Sequence, residues 1–375
     1  MKGSLSKFLF VLMAVYLSQM FMAPQVKALE LDKGLSVEGT GFVDFTAVSG
    51  DHYQSGTVGA TTTTPATADA NVGKDNGFHF TRAYITVKDK VSDDLMVRIT
   101  YDQKDGQGGS TQCADPNAAS VSYTCTTQSA FVKYVYGDYS YMPGQKVRFG
   151  LGHTPWIDYE EGLYTYRFLG TVFSDGQGAQ SSSDTGVSLI GSFMDKMLDY
   201  HVGVYEGEGY ANKRDGQGFA YAGRVSFNME GFTVALFDWM ETKRSGTPDY
   251  NPSRLIGMVT YGNPIFRVAG QYLAADDNKT VVNTAPKFNK GNGYSVWAYT
   301  RIPGMDALRI MARYDSMKTD TDVDTGTNIL AKLGVSYDLS KSIVIALDET
   351  ILSAKDSSGT SVTDNLLGIK AQVAF

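Results

Sequence analysis

Residues 367–375 read Leu-Gly-Ile-Lys-Ala-Gln-Val-Ala-Phe. Leu367, Ile369, Ala371, Val373 and Phe375 are apolar, while Gly368, Lys370 and Gln372 between them are small or polar. Period-two alternation of this kind is the pattern of a strand with one greasy face and one wettable face. A strand that finishes on an aromatic with a charged end leaves an open sheet edge, and open edges invite aggregation. Sealing that edge against the first strand of the same chain removes the hazard, so the stretch reads as the last stave of a closed cylinder.

The other end of the chain is compatible with this. Lys2 and Lys7 flank the start of an apolar run, Phe8 to Leu17, and Val26-Lys27-Ala28 supplies the small residues a signal peptidase reads. Residues 1–28 are therefore expected to be a cleaved signal peptide, leaving 29–375 as one transmembrane β-barrel. After Ala28 no stretch approaches the ~18 apolar residues of a spanning helix. A membrane chain of this composition must then cross as strands closed into a barrel. Its 23 Tyr, 19 Phe and 40 Gly, with charged residues held to 19%, suit aromatic-rich sheet with Gly where walls crowd.

The net charge of −7 deepens to −10 once the three lysines of residues 1–28 are removed. An acidic chain argues against nucleic acid as a partner. The 2 Cys, Cys113 and Cys125, lie in one polar segment and are expected to form a local disulfide, worth about 3 kcal/mol for so short a loop.

Sixteen alternating segments follow one another, from Leu35-Val37-Gly39-Gly41-Val43-Phe45 to the terminal strand. Short turns such as Val91 to Asp94 and Asn228 to Gly231 alternate with long polar connections such as 48–76, 103–127 and 152–184. An even strand number, tight turns on one rim and long loops on the other predict an all-β antiparallel transmembrane barrel. The turns are then periplasmic and the loops extracellular. A soluble sandwich or propeller competes poorly, because no blade-like repeat is present and the long connections recur too regularly. Tyr101, Tyr136, Tyr261, Tyr314 and Tyr337 near strand ends are expected to belong to aromatic girdles at the headgroup level.

The second parity of each strand should face inward. It carries Arg82, Arg98, Lys133, Arg148, Arg224, Arg254, Arg267, Arg309, Arg313, Lys332 and Lys370. Against these eleven bases the same parity yields four acids, Glu38, Asp44, Asp102 and Asp348. A base facing lipid costs about 2–4 kcal/mol near the midplane, so these side chains should meet water. The wall of a sixteen-stranded lumen, too wide for side chains to fill, is thus expected to be basic.

The third long loop reads Gly152-His153-Thr154-Pro155-Trp156-Ile157-Asp158-Tyr159-Glu160-Glu161, followed by Tyr164, Tyr166 and Arg167. Its aromatic content suits a segment folded into the bore at about 152–184. Asp158, Tyr159, Glu160, Glu161 and Arg167 would then form the constriction, with the acids opposing the basic wall across a transverse field.

The terminal strand resembles the C-terminal signature of bacterial outer-membrane barrels. The run Val147 to Trp156, the stretch Ser183-Asp184-Thr185-Gly186-Val187 and the strand Tyr200 to Gly209 resemble Gram-negative porins. The sixteen-stranded phosphate-selective type and porin-like proteins of metal-reducing bacteria are the nearest in pattern. The resemblance covers most of the mature chain as an architecture, with loose motifs. It implies an outer-membrane channel, homotrimeric, bathed in lipopolysaccharide and lipid, passing small hydrophilic solutes or inorganic ions with a preference for anions. No phosphate-binding triplet is matched residue by residue.

Other signals carry little. Asp320 to Gly326 imitates a calcium loop but has its Gly one place late and Ala331 where Glu belongs. His52, His79, His153 and His201 show no metal spacing, and no nucleophile elbow or phosphate loop occurs. No catalytic residue, cofactor or metal is expected. Two rivals from other classes are a barrel that sheathes a periplasmic multihaem cytochrome, and a barrel enzyme, for which the sequence offers no catalytic constellation.

Overall fold

The computed structural model describes residues 29–30, 34–50, 77–104, 110–114, 122–126, 130–211, 218–243, 251–278, 288–322, 327–355 and 361–375. The expected signal peptide lies outside them. Strands β1 (Leu35–Gly50), β2 (Gly77–Lys90), β3 (Leu95–Lys104), β4 (Phe131–Met142) and β5 (Gln145–His153) open the wall. It continues through β6 (Ser183–Phe193), β7 (Leu198–Tyr205), β8 (Gly218–Met229), β9 (Phe232–Lys243) and β10 (Ser253–Gly262). The last six are β11 (Phe266–Asp276), β12 (Gly291–Ile302), β13 (Met305–Lys318), β14 (Thr327–Asp338), β15 (Ile343–Lys355) and β16 (Ser361–Ala374).

Each of the sixteen pairs antiparallel with its chain neighbours. A two-residue strand, Leu29–Glu30, adds to β1. The cylinder closes where β16 meets β1, from Asp364 opposite Gly50 to Ala374 opposite Thr40. Phe375 completes the seam: its N–H donates to Gly39 O at 2.9 Å, and Gly39 N–H donates to Phe375 O at 2.9 Å. The tip of the Phe375 ring reaches Gly39, where a Cβ would come within 2.1 Å of it. Glycine lets the ring take that place without shifting. The fold is the antiparallel sixteen-stranded barrel that the terminal alternation implies.

Side-chain alternation follows the cylinder. On β9, Leu236 is 62% exposed while its neighbour Phe237 is 1% exposed. Val259, Leu333 and Leu347 share the outer face, which is an apolar belt. Among the described residues, acids interrupt it in mid-strand. Asp238 takes the outward parity opposite Gly223 and Leu255, and Glu349 takes it opposite Leu333 and Leu367.

Strand β4 departs from the sequence reading. Thr100 pairs with Tyr134 but Tyr101 pairs with Val132, so Lys133 is the extra residue of a β-bulge. A bulge re-aims the residues beyond it by one position. Both Lys133 and Tyr134 therefore turn inward, and Tyr136 and Asp138 follow them. Tyr136, expected in an outer girdle, is an interior residue at 5% exposure; Val135 and Tyr139 hold the outer face instead.

Among the long connections, 103–127 carries a small hairpin, Ser110–Ala114 with Ser122–Thr126. Its register sets Cys113 opposite Tyr123 and Cys125 opposite Thr111. The side chains of Cys113 and Cys125 lie outside the described residues, and so does the expected disulfide.

Candidate functional site

The segment between β5 and β6 is pinched at its base. Thr154 N–H donates to Ser182 O at 3.1 Å, and the Thr154 hydroxyl donates to Ser181 O at 2.7 Å. Beyond this neck the chain forms helix α1 (Ile157–Tyr164), a 3₁₀ turn (Arg167–Leu169) and the short helix α2 (Phe173–Gly176). Helix α1 ends at Thr165, whose φ of 59° lies in the left-handed region that β-branched residues avoid.

Trp156, Ile157, Leu169 and Phe173 are fully buried. Trp156 and Phe173 pack with Phe237, Ile256, Met258 and Leu273, inward residues of β9 to β11. Ile157, Tyr164 and Leu169 pack with Ala269, Trp297 and Met311 of β11 to β13. Phe288, from the connection between β11 and β12, joins the Trp156 cluster. The loop thus lies inside the cylinder against one side of its wall.

Polar contacts fix it there. A loop buried in a barrel must find partners for its carbonyls, because an unpaired buried backbone group is costly. Five of the eleven bases supply them. Arg224 Nε donates to Pro155 O at 3.0 Å, Arg254 Nε to Ala179 O at 2.6 Å, and Arg313 Nη1 to Thr171 O at 2.6 Å. Lys332 and Lys370 both donate to Leu169 O. Each also faces a carboxylate: Asp199, Asp277, Asp315 and, for both lysines, Asp348. A base buried this deeply is tolerable only when paired and hydrogen-bonded, and these are.

A second group lies on β2 to β5. Arg82 pairs with Asp102, and Lys133 stands 3.9 Å from the same carboxylate, with its ammonium 4.8 Å from the Tyr84 ring centre. Arg148 grips Asp138 at 2.7 and 2.9 Å and lies 4.0 Å above the Tyr136 ring. Arg98 differs. Its partners are the Thr100 hydroxyl at 3.0 Å, the Tyr134 ring at 4.9 Å and His153 Nε2 at 3.2 Å. A guanidinium can only donate, so Nε2 accepts and the imidazole is neutral, with its proton on Nδ1. That Nδ1–H faces Asp158 Oδ1 at 3.4 Å.

The two remaining bases sit toward the short-turn rim. Arg267 Nη1 donates to Thr260 Oγ1 at 3.2 Å, and Arg309 pairs with Asp338.

The loop acids divide by helix face. Ile157, Glu160 and Tyr164 form the buried face of α1; Asp158, Glu161 and Gly162 form the opposite one. Asp158 lies deep within the cylinder, yet 58% of its side chain is exposed. That combination marks a group on an internal water-filled passage. Burial works to raise its carboxyl, but the His153 N–H and the charges of Arg98, Arg148 and Lys133 outweigh it and hold Asp158 below the usual range. Glu161 is half-buried and bound by Arg167 Nε at 2.7 Å; burial pushes it up against the pull of Arg167 and Lys133.

Glu160 does not share this passage. It is 1% exposed and accepts from Trp156 Nε1 at 2.8 Å, Ser174 Oγ at 2.8 Å and Phe173 N–H at 3.2 Å. Burial pushes it up to about 7, against Ser174, Arg313 and Trp156. It cross-links the two ends of the loop. Tyr159 lies 3.9 Å beneath the Arg224 guanidinium, also on the loop-to-wall side.

The charge count of the lumen changes as well. Asp138, Asp199, Asp277, Asp315 and Asp338 all pair with one of the eleven bases, so the wall is far closer to neutral than eleven against four. The bulge hid Asp138; Asp199, Asp277 and Asp338 stand at or just beyond strand ends, whereas Asp315 continues the inward parity of Arg313 and was legible there. His153 also escaped the sequence reading, which tested histidines only for metal spacing. Alternation gave no signal for it: His153 shares the parity of Phe149 and Leu151, which look outward, yet it is buried at the strand's end where the chain turns into the barrel.

Neither a family model nor a curated protein matches the chain. Solved structures do, as folds. The outer membrane channel DcaP of Acinetobacter baumannii superposes with a TM-score of 0.61 at 13% identity, covering 93% of this chain and 100% of that one. OmpF of Salmonella typhi, solved with daunomycin, gives 0.61 at 15% identity over 92% and 100%. The anion-selective porin of Comamonas acidovorans gives 0.58 at 15% identity over 91% and 99%. The chain has the porin fold: a closed sixteen-stranded antiparallel barrel.

Proposed function

We propose that the protein is an outer-membrane channel through which small hydrophilic solutes or ions diffuse passively. Residues 1–28 direct its export, and the apolar belt sits in lipid beside lipopolysaccharide. The observation that carries this reading is Asp158: deep within the barrel, exposed to water, and facing Arg98 across a neutral histidine. A passage bounded by separated charges of opposite sign imposes a transverse field on what crosses it.

The passage runs between α1 and the β2–β5 wall. Most charges along it are paired, so any anion preference is weak and is set by Arg98 and Lys133 against Asp158. A homotrimer is the assembly we favour, in line with the solved trimer form of OmpT from Vibrio cholerae, a barrel of like fold. The loop crosses the interior that a multihaem cytochrome would need, which leaves the sheath alternative without a supporting observation.

Single-channel recording of the purified protein in planar bilayers tests the reading. Stable open conductance with a small reversal potential in a salt gradient is expected. A barrel that inserts and never conducts would remove it.

A further inference from the structure

Most methionines of the described barrel fall into two sets. Met258, Met311 and Met317 are buried inside it, whereas Met96, Met142, Met194, Met197, Met229 and Met305 stand at the short-turn rim. A flexible thioether suits irregular gaps in a core, and an exposed turn has no gap to fill. Met194 is the extreme case, at 73% exposure.

Its turn is also unusual in the backbone. Met194, Asp195 and Lys196 have φ of 51°, 51° and 69°. No other consecutive non-glycine residues among those described share the left-handed region. A residue with a Cβ adopts that region at a cost, so its surroundings must hold it there. Asn228 of β8 does so. Its N–H donates to Met197 O at 2.7 Å, and its Nδ2 donates to Lys196 O at 3.1 Å. The same Nδ2 donates to Asp199 Oδ2 at 2.9 Å. Asp199 pairs with Arg224, and Arg224 Nε donates to Pro155 O beside the neck of the constriction loop. The left-handed turn is thus linked to that loop through Asn228, Asp199 and Arg224. A cavity of about 1050 Å³ opens beside Met142, Lys196, Asp199, Arg224 and Asn228, so small molecules reach this series of contacts.

We propose that Met194 is a site of reversible oxidation by hydroperoxides, and that its sulfoxide loosens the constriction loop through Asn228, Asp199 and Arg224. The thioether sulfur attacks the distal peroxide oxygen; an S–O bond forms and the O–O bond breaks. The departing oxygen keeps the proton and leaves as an alcohol, or as water from hydrogen peroxide. Sulfur is oxidised by two electrons and the peroxide is reduced. An apolar tip becomes a polar one with a strong acceptor oxygen. That oxygen competes for the N–H donors that hold the turn, and the left-handed backbone relaxes once they are lost. Asp199 and Arg224 then lose their fixed geometry, and with it the grip on Pro155.

Purified protein treated with hydrogen peroxide and analysed by mass spectrometry tests the first half. Sulfoxide should form at Met194 at least about tenfold faster than at Met258, Met311 or Met317, as exposure dictates. Hydrogen exchange in residues 156–176 tests the second half. It should quicken about fivefold on oxidation, the worth of one hydrogen bond of about 1 kcal/mol. Methionine sulfoxide reductase should reverse it, and M194L should abolish it although the other rim methionines still oxidise. In planar bilayers the oxidised wild type should conduct with more noise than the untreated protein. That last arm rests on the channel reading; a barrel that never conducts would sink the channel and leave the exchange to decide. The inference is overturned if Met194 oxidises no faster than the buried methionines, or if M194L responds to peroxide as the wild type does. Oxidation at Met194 that leaves the exchange unchanged overturns it as well.

Discussion

The two sides of the lumen wall use the same residue types for different ends. On β8 to β16, Arg224, Arg254, Arg313, Lys332 and Lys370 are sealed between wall carboxylates and loop carbonyls. On β2 to β5, Arg82, Arg98, Lys133 and Arg148 lean on tyrosine rings, and the last three act on a loop acid that water reaches. The difference is what stands opposite. Where the loop presents backbone, a base becomes a fastening; where it presents a carboxylate across a gap, the base becomes part of an electric field. Counting inward bases treats both alike, which is why the count overstates the charge of the passage.

The fastenings should show the largest effects. R313M leaves Asp315 and the Thr171 carbonyl buried without their partner, and breaking a buried pair typically costs about 3–5 kcal/mol. The barrel should persist while the loop loosens. Single-channel recording is expected to show higher, noisier conductance with little change in ion preference. An unaltered conductance would mean that the loop does not depend on that wall.

Glu160 sharpens the contrast through pH. Its folded value of about 7 lies above the ordinary 4.5, so the folded loop holds a proton that the unfolded loop releases. Its contribution is fully present below about pH 4.5 and is lost as pH rises toward 7, by up to roughly 3 kcal/mol. Hydrogen exchange in residues 156–176 should therefore be slower at pH 5 than at pH 8, after correction for intrinsic rates. E160Q should flatten that difference.

Charge removal should then separate the two walls. R98Q deletes a charge beside the passage, an interaction of about 0.8 kcal/mol at 5 Å in a water-like dielectric, or roughly fourfold in permeability ratio toward cations. K332M makes the same change of charge behind the loop and should shift the ratio less. Equal shifts would erase the distinction.

The smallest effect concerns the outer face. Asp238 stands among lipid-facing residues, where a carboxylate costs less than a base but more than leucine. D238L should raise thermal stability by about 1 kcal/mol without touching conductance.

Much of the fold was legible in advance, since a period of two fixes which face of a strand is buried. The terminal strand, the turn Val91 to Asp94 and the even strand number all follow from alternation alone. Alternation also places the eleven bases on the inward parity. It fails just beyond Lys133, at Tyr134, Tyr136 and Asp138, because a bulge inserts one residue and leaves no compositional mark. It fails again within 156–176, where helix-face periodicity decides that Asp158 and Glu161 look one way and Glu160 the other. The Arg98–His153–Asp158 arrangement joins two strands and a loop, so no local pattern announces it.

Reversal potentials of D158N and E160Q in one salt gradient test the division most directly. At pH 8, where both carboxyls are ionised, each variant removes one carboxylate charge from the same helix, two residues apart. D158N should move the potential clearly toward anions, and E160Q should leave it near the wild-type value. Equal displacement by the two, or movement only in E160Q, would contradict the account.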